Sequence, residues 1–153
     1  MFTPNGSYLY SSGNGLNAFK IEATGKLTSV PGSPFTLDVG SDSTASNLTM
    51  DPRGELVYAT QFQPKQLVLG FAIDPSIGKL SPVPGSPVNS AAPYSVAFDP
   101  SGHFVFVGSD GGQVAVFSVS RPSGSLKPIA GSPFELGGLQ PELAFAALAP
   151  VAP

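Results

Sequence analysis

Short apolar runs separated by turn residues dominate the pattern of hydrophobic and polar positions along the chain. One set of runs follows a Pro-x-Gly turn: YLYS from Tyr8, LVYA from Leu56 and FVFV from Phe104. A second set follows a loop: LNAFKI from Leu16, VLGFAI from Val68 and VAVFSV from Val114. No segment offers a 3.6-residue apolar period free of Gly and Pro, so the pattern predicts strands rather than helices.

The same motifs recur in the same order in three units. Pro4, Pro52 and Pro100, in the turns TPNG, DPRG and DPSG, follow one another at intervals of 48 residues. The turns TGKL, IGKL and SGSL come later in each unit. A six-residue phrase then closes each unit, as VPGSPF, VPGSPV and IAGSPF. An internal repeat of this period indicates a repeated supersecondary unit.

Each unit predicts four strands. Runs such as FVFV are apolar at every position, which requires cover on both faces, as in stacked sheets. The last strand of each unit is rich in Pro, which belongs on an edge, and the G-S-P phrase is interpreted as the turn that leaves this edge. Four-stranded sheets repeated at this spacing are typical of a β-propeller. The prediction is therefore an all-β chain, a single propeller region over 1–153 with three four-stranded antiparallel blades at about 2–45, 46–92 and 93–140.

Three blades are fewer than the four to eight of closed propellers. PELAF, at 141–145, reads as a closing inner strand, because Pro141 lies 48 residues after Pro93. Two alternatives follow. Either several copies share a ring as a homo-oligomer, through blade edges and the 141–145 strand, with two copies giving six blades, or the chain is part of a longer propeller.

Composition excludes several classes of partner. Charged residues make up 11% of the chain, the formal net charge is −3, and the few Lys and Arg are scattered singly. Neither nucleic acid nor an anionic membrane is an expected partner. Cysteine is absent, which removes disulfides and thiolate chemistry. The chain shows no apolar run of about 18 residues and no signal-peptide pattern, and its compartment stays open.

These repeat motifs carry a family resemblance. TGKLTSVPGSPF, YSVAFDPSGHFVFVGSDGGQVAVFSV and the D-P-x-G turns resemble the lactonase-type seven-bladed β-propellers. That family includes bacterial 6-phosphogluconolactonases and related YVTN-type repeat proteins. The resemblance covers 2–145 and implies the fold, with lactone hydrolysis as an implied activity. The shared motifs belong to the repeat and are not catalytic, so no family catalytic residue is carried over.

Polar residues recur where each innermost strand begins, near the expected propeller axis. Ser46, Tyr94 and Glu142 stand at intervals of 48 residues, and Asn47 and Ser95 adjoin them. Four further residues are expected near the same mouth: Asp42, Asn14, Gln61 and Asp110. A ring of mixed polar groups suits a small polar ligand such as a sugar lactone. Loops around such an opening are also polar simply because they are exposed to solvent.

Catalytic candidates are few. The single histidine, His103, follows the DPSG turn and is expected at the face opposite the ligand mouth. Asp51 and Asp99 are expected to stabilise their own turns. No metal site and no cofactor are predicted. The main hypothesis is a binding or scaffold module. The first alternative is a lactone hydrolase, a carboxylic ester hydrolase with Glu142 or Asp110 as the acid/base group. The second is a non-functional fragment with exposed, aggregation-prone edges.

Overall fold

Three antiparallel sheets make up the fold. The computed structural model describes residues 1–36, 44–63 and 65–137. The first sheet, here the first blade, contains β1 (Tyr8–Gly13), β2 (Gly15–Ile21) and β3 (Leu27–Ser29). The second blade contains β4 (Leu48–Met50), β5 (Leu56–Gln61), β6 (Leu67–Ile73), β7 (Leu80–Pro82) and β8 (Val88–Asn89). The third blade contains β9 (Pro93–Phe98), β10 (Phe104–Ser109), β11 (Gln113–Ser120), β12 (Ser125–Pro128) and β13 (Phe134–Glu135).

The architecture confirms the predicted all-β segment of three blades. Every named pair of strands is antiparallel, and the described residues contain no helix and no closed ring of sheets. Consequently no helix in those ranges could cross a membrane. Among the described residues the first blade has three strands, and an isolated bridge from Phe2 to Leu9 stands where its innermost strand would run. The predicted strand 141–145 lies outside the described residues.

The Pro-x-Gly turns are held by the side chain that precedes the proline. Asp51 Oδ1 accepts the backbone N–H groups of Glu55 and Leu56 at 2.7 and 2.8 Å. Asp99 Oδ1 accepts the equivalent two N–H groups in the third blade. Both aspartates therefore stabilise their turns as predicted, by offering an acceptor to backbone donors that start the next strand.

The G-S-P phrase interrupts the outermost strand instead of ending it. Before the phrase, β7 pairs with β6, and after it β8 pairs with β6 again; β12 and β13 pair with β11 in the same way. The interpretation of the phrase as a turn leaving the edge was therefore wrong. The reason is local: the serine hydroxyl accepts the N–H that the outer strand leaves unpaired, and the strand then resumes.

The core lies between blades rather than within them. One buried cluster joins the first and second blades and a second joins the second and third. Tyrosines hold the contacts together: Tyr10 Oη donates to the Gly78 carbonyl at 2.8 Å, and Tyr58 Oη donates to the Gly124 carbonyl. Burial raises the pKa of both phenols, so they remain hydrogen-bond donors at neutral pH.

Candidate functional site

A cleft opens where the innermost strands of the second and third blades begin. Its volume is about 470 Å³. The lining residues are Ser46, Asn47, Phe62, Pro93, Tyr94 and Asp110. They come from four stretches of chain: the approach to β4, the end of β5, the start of β9 and the residue after β10. The cleft is thus assembled between two blades, at the end of the sheets where the loops from β5 and β10 emerge.

Backbone hydrogen bonds fix the position of each wall. Ser46 N–H donates to the Thr60 carbonyl at 2.8 Å, and Thr60 N–H donates to the Asn47 carbonyl at 2.9 Å. The Thr60 hydroxyl accepts the Asn47 N–H at 3.2 Å and donates to the Tyr94 carbonyl at 3.4 Å. Thr60 therefore ties the two innermost strands together directly behind the cleft.

The Asp110 wall depends on a strained residue. Ala92 has a φ of 41°, the only positive value at a non-glycine residue within the described ranges. Its carbonyl accepts the Asp110 N–H at 3.0 Å, and its N–H donates to Gln66 Oε1 at 3.0 Å. Backbone strain of this kind persists only where surrounding contacts enforce it. Here the contacts set the start of β9 and the position of Asp110.

Four of the residues predicted for the mouth meet in this cleft: Ser46, Asn47, Tyr94 and Asp110. Tyr94 is 43% exposed, so its phenol is accessible. Ser95 is buried and does not line the cleft, because it occupies the next position of β9, where the side chain points to the opposite face of the sheet. Glu142 and Asp42 lie outside the described residues.

Two further predicted residues sit away from the cleft lining. Asn14 is exposed and pairs with Thr44 in an isolated bridge. Gln61 is fully buried, and neither its Oε1 nor its Nε2 has a hydrogen-bond partner among the residues that the structure describes. A buried amide without partners is costly. Gln61 thus occupies the interior next to the cleft and contributes no lining surface.

The sequence did not identify Phe62, Pro93 or a second hollow beside the cleft. Phe62 is the wall shared by the two cavities. The second hollow has a volume of about 550 Å³ and is also lined by Gln63, Lys65, Gln66, Asn89, Ser90 and Ala91. No repeat motif marks Phe62 or the loop positions of the second hollow, so only the strand-to-strand packing reveals that an aromatic side chain closes the cleft.

His103 lies at the other end of β10, as predicted. Asp110 follows β10 and His103 precedes it, so the two are separated by roughly 20 Å of extended chain. The Ser101 hydroxyl contacts Asp99 Oδ2 at 2.5 Å and His103 Nδ1 at 2.8 Å. Because the hydroxyl proton goes to the carboxylate, the imidazole donates to the serine oxygen. His103 is therefore not a base for Ser101.

The same turn sets the charge of Asp99. Partial burial acts to raise the pKa of Asp99, but hydrogen bonds from the Ser101 hydroxyl and from the N–H groups of Phe104, Ser101 and His103 lower it below its ordinary value. Asp99 is thus held ionised as a turn acceptor. Among the described residues, no three His, Asp or Glu side chains are grouped closely enough to hold a metal.

Comparison with known proteins places this geometry in a family. The family model described as "Lactonase, 7-bladed beta-propeller" matches residues 1–137. No protein of curated function matches the chain significantly. Solved structures do match, at identities that establish the fold alone.

Two of those structures illustrate the extent of the match. The periplasmic gluconolactonase of Pseudomonas aeruginosa is 24% identical, with a TM-score of 0.80 over 97% of this chain and 42% of that chain. A Bacteroides fragilis protein provisionally assigned as a 6-phosphogluconolactonase is 20% identical, with a TM-score of 0.77 over 88% of this chain and 38% of that one. The chain thus spans about two fifths of the length of these structures. It belongs to the lactonase family of seven-bladed β-propellers and comprises three blades of that fold.

Proposed function

We propose that the cleft binds a small polyhydroxylated ligand and that the protein hydrolyses an uncharged sugar lactone there. The observation that carries the proposal is the cleft itself, which gathers a carboxylate, an amide, two hydroxyls and an aromatic wall in one volume. Sugar binding needs this mixture, because hydroxyl groups require hydrogen-bond partners and the ring faces require apolar contact. Membership of the lactonase family supports the same activity.

Each lining group has a role in this proposal. Asp110 takes a proton from a water molecule, whose oxygen attacks the lactone carbonyl. The side-chain amide of Asn47 or the phenol of Tyr94 donates to the oxyanion that forms. The intermediate then expels the ring oxygen, which receives the proton and becomes the hydroxyl of an open-chain aldonic acid. Phe62 packs against the sugar ring.

The charge of the cleft supports an uncharged substrate. All seven Lys and Arg residues fall in the described ranges, and none of them lines the cleft, where Asp110 is the one charged residue of the described lining. A phosphate group beside Asp110 would therefore meet repulsion from its carboxylate. Lys65 lines only the neighbouring hollow, on the other side of Phe62.

The direct test measures the rate of lactone hydrolysis through the release of acid, corrected for the spontaneous reaction. We expect Asp110→Asn to lower the enzymatic rate by about 100-fold, the lower range for loss of a general base. Glu22→Gln is the matched control, because this carboxylate lies near the end of β2, away from the cleft, and pairs with Lys20. It should leave the rate unchanged.

Binding and substrate charge are tested separately. If calorimetry detects gluconate binding but no hydrolysis occurs, the cleft is a binding module, which is the main hypothesis from the sequence. A kcat/KM for gluconolactone that exceeds that for 6-phosphogluconolactone by a factor of about ten or more would support an uncharged substrate. A preference for the phosphorylated lactone that is lost in Lys65→Gln would contradict the uncharged substrate. It would still support lactone hydrolysis as the activity.

A further inference from the structure

Adjacent blades pack through the same pair of surfaces. The second blade presents Val57, Phe71, Ile73 and Leu80 to the first blade. The third blade presents the residues at the corresponding repeat positions to the second: Val105, Phe117, Val119 and Leu126. One side of every blade therefore carries the same apolar set, and the chain uses that set twice.

The opposite side of each blade receives a glycine turn from the next blade. A Cβ atom added at Gly78 would lie 2.3 Å from Tyr8, and one added at Gly124 would lie 2.7 Å from Leu56. Such distances leave no room for a side chain. The turn glycine and the apolar set thus form one half of the interface, and the residue at the Tyr8 position forms the other.

Both halves of this interface recur at the two ends of the chain. We define the head face as Leu9, Phe19, Ile21 and Leu27 of the first blade, with Gly25 in the adjoining turn. These are the repeat positions that pack inward in the other blades. Leu27 is 44% exposed, whereas Leu80 at the same position is 3% exposed. In the described part of the chain, nothing lies within 4 Å of a Cβ added at Gly25.

We define the tail face as Phe104, Ile129 and Phe134 of the third blade. Phe104 occupies the repeat position of Tyr8 and Leu56, which receive the glycine turns. Phe104 is 39% exposed, against 2% for Leu56, and Phe134 is 42% exposed. Phe104 and Phe134, at positions of the receiving half of the interface, are therefore presented to solvent.

We propose that the head face of one copy docks on the tail face of a second copy. The contact continues the interface between blades: Gly25 packs on Phe104 of the second copy, as Gly78 packs on Tyr8 and Gly124 on Leu56 within the chain. The two faces lie on the same chain and differ, so the association is head-to-tail. Two copies with both junctions formed make a ring of six blades. The burial of exposed apolar side chains drives the assembly.

The test uses one variant that blocks each face. Leu27→Glu places a charge on the head face and Phe104→Glu places one on the tail face. By light scattering on a size-exclusion column, the unaltered chain should have a molar mass near twice 15.6 kDa. Each variant alone should be a monomer. An equimolar mixture of the two should recover a dimer joined at one junction, because the intact tail of one variant then meets the intact head of the other.

Controls separate blocked docking from unfolding. Ile77→Glu changes an apolar side chain that is 53% exposed and belongs to neither face, and it should remain a dimer. Circular dichroism and thermal unfolding should match among all variants; Phe134→Glu replaces Phe104→Glu if the latter fails to fold. A monomeric unaltered chain would overturn the proposal. So would a dimer that survives Leu27→Glu, which indicates tail-to-tail contact, or a mixture that remains monomeric.

Discussion

Ser33, Ser86 and Ser132 hold one position in the three blades and perform the same task. Each hydroxyl accepts a backbone N–H from the neighbouring strand: that of Ala18 at 3.0 Å, Gly70 at 2.8 Å and Val116 at 2.8 Å. The prolines of the phrase displace the outer strand here, so its own carbonyl groups cannot serve these donors. A single side-chain oxygen therefore keeps the strand attached on both sides of the interruption.

Ser86→Ala tests this role. The Gly70 N–H lies within the second blade and would lose its acceptor, so we expect the free energy of unfolding to fall by about 1–3 kcal/mol. Chemical denaturation monitored by circular dichroism measures the change. Ser81→Ala is the control, because Ser81 is exposed on β7 of the same blade. Equal stabilities of the two variants would contradict the assigned role.

At the scale of elements, a turn of the third blade is tied to a turn of the second by charge. Arg121 Nη2 lies 2.5 Å from Asp51 Oδ2, and Arg121 Nη1 lies 2.8 Å from Glu55 Oε2. The Asp51 side chain is fully buried, whereas that of Glu55 is 59% exposed. The buried pair carries the stabilisation, because solvent screens the pair with Glu55.

Arg121→Met should therefore destabilise the contact between the second and third blades. Removal of the guanidinium leaves the Asp51 carboxylate buried with only its backbone donors, and we expect the free energy of unfolding to fall by about 2 kcal/mol. This cost lies below the range for fully buried ion pairs because Arg121 is partly exposed. Thermal denaturation gives the difference from Lys127→Met, a control at an exposed site. Adding Asp51→Asn to Arg121→Met should recover part of the loss. If Asp51→Asn destabilises the Arg121→Met variant as much as it destabilises the unaltered chain, the two side chains are not coupled and the assigned ion pair is refuted.

For the whole molecule, stability is expected to be greatest in the second blade. Every residue of β5 is buried, and β5 contributes Val57 and Ala59 to one core cluster and Leu56 and Tyr58 to the other. In a stack of similar units, the unit with two neighbours gains two interfaces, and the outer units gain one each. Opening of either outer blade therefore leaves half of the packing of the second blade intact.

Amide hydrogen exchange measures this gradient directly. Amides of β5 and β6 should exchange more slowly than those of β1, β2, β10 and β11 when the chain is dilute enough to be monomeric. At concentrations where copies associate, the protection of the outer blades should rise toward that of the second. Outer blades that are as protected as the second one in the dilute monomer would contradict a nearest-neighbour stack.

The sequence alone determined the repeat, the all-β class and the three blades, because these depend on local chemistry. Glycine and proline at fixed spacing set the turns, and an uninterrupted apolar run such as LVYA, in which every residue is buried, requires sheets stacked on both of its faces. The repeat spacing predicted Ser46 and Tyr94 at one mouth, since equivalent positions of a repeat share one end of the blades. The order of strands and loops predicted Asn47 and Asp110 beside them.

The tertiary structure decided what depends on contact between distant residues. The role of the G-S-P serine was invisible in the sequence because its partner lies on another strand, 16 residues away for Ser86 and Gly70. Phe62 became a wall of the cleft, and Ser95 was turned away from it, through packing that no local pattern encodes. The head face and the tail face also depend on such contacts. Equivalent repeat positions are buried where another blade stacks upon them and exposed where none does, and only the tertiary structure determines which of the two applies.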